Sequence, residues 1–268
     1  MSVGPQLKGA ALRHVKSNDR ERGYMNPADL PPSPPALAAP SPGGAWIAAP
    51  RPWAQDAWRA QHDAFVARAA QGGIDVLFLG DSITAFFPTR GAAAWNRAIA
   101  PLGVTANFGI EGDRTQFVLW RVQHGELDGS QARVVVLMAG TNNLEAASAA
   151  EIARGLAAIV EEVRDRLPSA VVLLNAILPR GAADDPLRAK IADVNARIAR
   201  LADGDRVRWV DAGAAFLDPD GDIKPLLMPD GLHPAAPGYD VWAIALRPAI
   251  ADALSNQRRS SRNSGRSK

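Results

Sequence analysis

The 268-residue chain contains no cysteine. That absence excludes a disulfide framework, a thiolate nucleophile and any zinc or iron–sulfur site built on cysteine ligands. Long apolar runs are missing too. Stretches such as Val134 to Ala139 and Ala170 to Leu178 stop at strand-like lengths, short of the roughly 18 to 20 residues a helix needs to cross a bilayer, so no membrane span is expected. There is no G-x-S-x-G elbow, which disfavours an ordinary α/β-hydrolase. The one glycine pair that suggests a phosphate loop, Gly109 and Gly112, lacks the further glycine of a dinucleotide motif and the lysine of a P-loop.

What is present suits a globular protein: 28.4 kDa and 47% hydrophobic residues, ample for a sizeable core. The formal charge of +2 is unevenly spread. Residues 1–45 hold five basic and three acidic groups and residues 258–268 hold five basic and none acidic, which leaves twenty basic against twenty-five acidic groups in between. The body is acidic and the basicity belongs to the ends. Prolines from Pro27 to Pro52, among alanine and serine, give the composition of an extended linker. The expected organisation is a flexible Pro-rich N-terminal extension over 1–52, a folded domain over 53–257 and a basic disordered tail over 258–268. Behind Lys8, Arg13 and Lys16 no apolar signal-like segment follows, and the expectation is a cytoplasmic protein.

Apolar runs alternate with helical patterns, the signature of a parallel sheet covered on both faces. The expected strands are Asp75–Leu79, Val104–Phe108, Val134–Met138, Val171–Ala176 and Val207–Val210. The clearest helix covers Ala149–Leu167, with Ser148 as N-cap, Glu151 completing a capping box and Pro168 beyond the end. A second covers Pro186–Leu201, with Leu187, Ile191, Val194 and Ile198 on one stripe.

In such a sheet, ligands bind outside the carboxyl ends of the strands, and four segments attract attention. Gly80-Asp81-Ser82 follows the first strand, which exposes a serine hydroxyl at the start of a helix, where its own N–H can serve an oxyanion. A capping role for Asp81 and Ser82 explains the tripeptide equally well. Gly109-Ile110-Glu111-Gly112 follows the second strand and Gly140-Thr141-Asn142-Asn143 the third; each suits a backbone or amide donor, and each also suits a plain turn. Near the C-terminal end, Asp230-Gly231-Leu232-His233 places a carboxylate three residues before one of only four histidines, a spacing that lets it orient the imidazole. His14 lies in the extension, and His62 and His124, in helical stretches, are expected at the surface.

Taken in order, Gly80-Asp81-Ser82, Gly112, Gly140-Thr141-Asn142 and Asp230-x-x-His233 resemble the four blocks of the SGNH or GDSL hydrolase family. Within it, Asn107-Phe108-Gly109-Ile110, Val118-Leu119-Trp120-Arg121, Gly125-Glu126-Leu127 and Leu178-Pro179-Arg180-Gly181 make the chain similar to the catalytic subunits of platelet-activating-factor acetylhydrolase and their bacterial relatives. The resemblance covers roughly Trp53 to Leu254. It implies an α/β fold, a flavodoxin-like three-layer α/β/α sandwich with a central five-stranded parallel sheet. It also implies a serine esterase without cofactor or metal, in which Ser82 is the nucleophile, His233 the base and Asp230 its orienting partner. The oxyanion hole implied is Ser82, Gly112 and Asn142. The substrate implied is a small ester of a short acyl group, acetyl first, on a carbohydrate or lipid-like alcohol, and a homodimer is implied as well. Glu111 and Pro234 stand where those acetylhydrolases usually carry glycine and leucine. Two other functions compete: an SGNH fold that binds without catalysis, and a polyanion binder acting through Arg258, Arg259, Arg262, Arg266 and Lys268. The acidic body and the lack of aromatic-basic alternation argue against specific nucleic-acid binding.

Overall fold

The runs Val134–Met138 and Val171–Asn175 are short, rich in β-branched residues and buried at every position, as strands covered on both faces must be. The computed structural model describes residues 44–264, with side chains as far as 257. Its strands are β1 (Val76–Gly80), β2 (Thr105–Gly109), β3 (Val134–Met138), β4 (Val171–Asn175) and β5 (Val207–Val210). All pair in parallel in the order β2-β1-β3-β4-β5. The bounds differ from those read in the sequence by no more than one residue.

Side chains alternate between the two faces, as the strand period requires. Leu77, Leu79, Val135 and Leu137 join one core, while Val76, Phe78, Val134 and Val136 join the other. The helices are α1 (Gln55–Ala70), α2 (Ser82–Ala85), α3 (Phe87–Arg90), α4 (Ala92–Ala94), α5 (Thr115–Arg121), α6 (Ala149–Arg166), α7 (Pro186–Ile198) and α8 (Ala236–Ser264). On the first face α6 contributes Ile152, Leu156 and Ile159, and α7 contributes Ile191 and Val194. On the second, α8 contributes Trp242, Leu246 and Ile250, and α3 contributes Phe87. Each such fully buried side chain contributes about 1.5–3 kcal/mol, and together they make the three-layer α/β/α sandwich.

The start of α6 forms as expected: the Ser148 N–H donates to Glu151 Oε2 at 2.8 Å and the Glu151 N–H returns to Ser148 Oγ at 3.3 Å. Ser82 opens a helix as expected, a single turn, with Pro88 and Gly91 dividing the stretch into α2, α3 and α4. Two expectations are corrected. Residues 44–52, assigned to the extension, lie against the body: Ala45 is buried, the Thr115 hydroxyl donates to Ala45 O at 2.6 Å, and the Ala49 N–H donates to Gln116 O at 3.2 Å. At the other end, α8 runs through Arg258 to Ser264, since no proline or glycine interrupts an established helix there. His14 and the remainder of the expected extension and tail fall outside the described residues. None of the described helices is long and apolar enough to cross a membrane.

Candidate active site

The four chemically unusual turns meet at the carboxyl edge of the sheet. Ser82 opens α2 directly after β1, and its Oγ lies 3.0 Å from His233 Nε2. His233 Nδ1 lies 2.7 Å from Asp230 Oδ2, while the other oxygen, Oδ1, accepts the His233 N–H at 2.7 Å and the Leu232 N–H at 3.0 Å. Asp230 thus fixes both the imidazole and the backbone that carries it. Burial raises the Asp230 pKa, but the hydrogen bonds from the His233 ring and from the two N–H groups outweigh it and leave the carboxyl at about 2. The loop is tied to its neighbours by the Gly181 N–H, which donates to Gly231 O at 3.0 Å, and by the Tyr239 hydroxyl of α8, which donates to Ile83 O of α2 at 2.8 Å. Phe86 packs against His233, ring centroids 5.5 Å apart.

The serine's own position depends on β2. Asn107 Nδ2 donates to Thr84 O at 2.7 Å and Asn107 Oδ1 accepts the Gly109 N–H at 2.9 Å. Gly109 must be a glycine here, because a Cβ would stand 2.4 Å from the Ala85 nitrogen. Beyond β2, the Asp113 N–H donates to Ile110 O at 3.2 Å, closing a turn over Ile110–Asp113 in which Gly112 has φ +77°. Asn142 sits in the 3-10 turn Thr141–Asn143 after β3, and its Nδ2 donates to Asp113 O at 2.9 Å. The amide keeps a second N–H for a ligand. Asn143 Oδ1 accepts the Thr115 N–H at 2.9 Å and Nδ2 donates to Gln116 at 2.9 Å, so this asparagine joins two loops rather than facing the site. Ser82, His233, Asp230, Gly112 and Asn142 are all at this edge.

The sequence of residues 78–241 matches the profile of the GDSL-like lipase/acylhydrolase family. The chain belongs to that family. Human platelet-activating factor acetylhydrolase IB subunits alpha2 and alpha1 are each 38% identical to it over 188 and 183 residues, covering 69% and 68% of this chain and 79% and 78% of theirs. Among solved structures, a GDSL-like lipase from Bacteroides thetaiotaomicron superposes with a TM-score of 0.60 at 22% identity, covering 72% of this chain and 98% of that one. An acetylxylan esterase from Geobacillus stearothermophilus superposes with 0.53 at 20% identity, covering 67% and 94%. These two likenesses establish the common fold. The GDSL-like hydrolases are carboxylic ester hydrolases, and this chain is one of them.

Beneath the site of this GDSL-like hydrolase lies a group of buried charges that sequence reasoning missed. Arg121 of α5 donates to Asp113 Oδ2 at 2.7 Å, to Glu126, and to Gly80 O at 3.3 Å. Trp58 Nε1 donates to Asp113 Oδ1 at 2.8 Å, and His62 Nδ1 lies 3.0 Å from Glu126. His62, expected at the surface, is buried, because α1 packs over this group and Glu126 gives the ring a partner; His124 is exposed. Burial pushes the Asp113 carboxyl up to about 6 despite the pull of Arg121 and the Trp58 bond. Asp81 caps α2 by accepting the Ile83 N–H at 3.0 Å, and burial pushes it up to about 7. The signals were present in Asp113, Arg121 and Glu126, but only burial distinguishes such charges from a solvated face.

Proposed function

We propose that this protein is a serine esterase that hydrolyses short-acyl esters, acetyl first, through an acyl-enzyme formed on Ser82. The observation that carries the reading is the unbroken chain Ser82 Oγ, His233 Nε2, His233 Nδ1, Asp230 Oδ2, at 3.0 and 2.7 Å. With its pKa at about 2, Asp230 is ionised at neutral pH and accepts the Nδ1 proton. That leaves Nε2 as the lone pair facing the serine. Ser82 attacks the ester carbonyl as its proton passes to His233; the alcohol leaves carrying that proton, and water, deprotonated by the same imidazole, releases the acid. Charge builds on the carbonyl oxygen only in the tetrahedral states. Donors at the Ser82 and Gly112 N–H groups and the second Asn142 N–H therefore accelerate turnover more than they tighten substrate binding.

Support for a small acyl group comes from two directions. Ser82 is buried, with Phe86 against its histidine, and two relatives at 38% identity are acetylhydrolases. A carbohydrate or lipid-like alcohol suits the leaving side. The test is hydrolysis of p-nitrophenyl esters from acetyl to octanoyl by the wild type and Ser82→Ala. Activity that falls with acyl length and vanishes in the variant is expected. Equal hydrolysis by the two proteins would refute Ser82 as the nucleophile, and a preference for octanoyl would refute the acyl assignment.

A further inference from the structure

The proposed oxyanion hole relies on the direction of one peptide unit, and a residue outside the segment that matches the family holds that unit. In the turn Ile110–Asp113, Gly112 at the third position has φ +77° and Glu111 is not among the residues with positive φ, which makes this a type II turn. In the type I alternative the Glu111–Gly112 peptide is rotated by about 150–170° with little change elsewhere. Glycine tolerates both forms. The sequence of the turn therefore leaves the peptide free to flip.

Arg51 removes that freedom. Its Nη1 donates to Glu111 O at 2.8 Å. Because the peptide is trans, its carbonyl and the Gly112 N–H point in opposite directions; fixing the oxygen toward Arg51 fixes the N–H away from it. A guanidinium on the carbonyl also polarises the unit and strengthens the N–H as a donor. Arg51 is itself held. It is half-buried and lies 5.1 Å from the centroid of Trp53, whose ring packs edge-on against Phe117 at 5.4 Å. The segment that carries it is pinned through Ala45 and Ala49 to α5.

We infer that Arg51 is a positioning residue that locks the Glu111–Gly112 peptide with its N–H facing the oxyanion, so that the residues before the family segment complete the hole. The inference rests on Gly112 serving as an oxyanion donor, as proposed above. The experiment uses the full chain with Arg51→Met, which keeps an apolar stem on Trp53, and Arg51→Lys, which restores one charged donor. For each, kcat and KM for p-nitrophenyl acetate, the affinity of a boronic acid that forms an anionic tetrahedral adduct on Ser82, and the melting temperature are measured. Arg51→Met is expected to lower kcat about tenfold or more, a part of the 10²–10³ that one lost donor costs. KM and melting temperature should change little, boronate affinity should weaken by the same factor, and Arg51→Lys should recover part of the loss. Turnover within twofold of wild type, or a loss of kcat that leaves boronate affinity intact, would overturn the inference. A wild type without Ser82-dependent hydrolysis would overturn the proposed function as well, and it shows itself before any Arg51 variant is made.

Discussion

Asp81 offers a quantitative test of the buried electrostatics. Its carboxyl accepts the Ile83 N–H and is almost fully enclosed. Burial is the largest influence and Asp113 adds repulsion, while the Ile83 bond and the attraction of His233 pull the other way; the outcome is a rise from 3.8 to about 7. A raised carboxyl pKa means that the folded state binds the proton more tightly than the unfolded one. Stability on this account is full below pH 4, declines as pH rises from about 4 to about 7, and is lowest above that. At about 1.4 kcal/mol per pKa unit the full cost is about 4 kcal/mol. Asn in place of Asp81 keeps the acceptor for Ile83, resembles the protonated acid and never ionises. Urea unfolding of wild type and Asp81→Asn between pH 4 and pH 8 isolates this group and its coupling to Asp113 and His233, because titrations that do not interact with it cancel in the difference. The variant should match the wild type near pH 4 and exceed it progressively, by as much as about 4 kcal/mol at pH 8. A difference that does not vary with pH would refute the reasoning, as would one that shrinks between pH 5 and pH 8.

Asn142→Ala should lower kcat about 10²- to 10³-fold with KM near the wild-type value, read on p-nitrophenyl acetate; a normal kcat would remove this amide from the hole. Arg121→Met strands Asp113 and Glu126 in the interior and should cost about 3–5 kcal/mol in urea unfolding. A loss below about 1 kcal/mol would mean that the group is far better solvated than its burial indicates.

The sheet and its two largest helices were legible because their signals are local. A run such as Val134–Met138 has one reading as a buried strand, and Ser148 with Glu151 marks a helix start without reference to the rest of the chain. The candidate site residues were singled out for a different reason: four short blocks in order resemble a family, although each block alone suits a turn. Arg51 was hidden inside a proline-rich stretch whose composition reads as a linker. Its role depends on the distance to Glu111, sixty positions away. His62 was misplaced on the surface for a related reason, since its partner Glu126 is sixty-four positions off. Local pattern reports the period of an element, not which charge will meet it across the fold.

Ser82 and His233 are separated by 151 positions, and strands β2 to β5 all lie between them. Bringing such distant groups together closes a very long loop, which is entropically unfavourable until the intervening contacts form. The pair's geometry is complete only when the segment after β1 and the segment before α8 are both docked at the same edge of the sheet. Esterase activity regained after dilution from denaturant consequently reports the docking of both segments, which recovery of helical circular dichroism alone does not report.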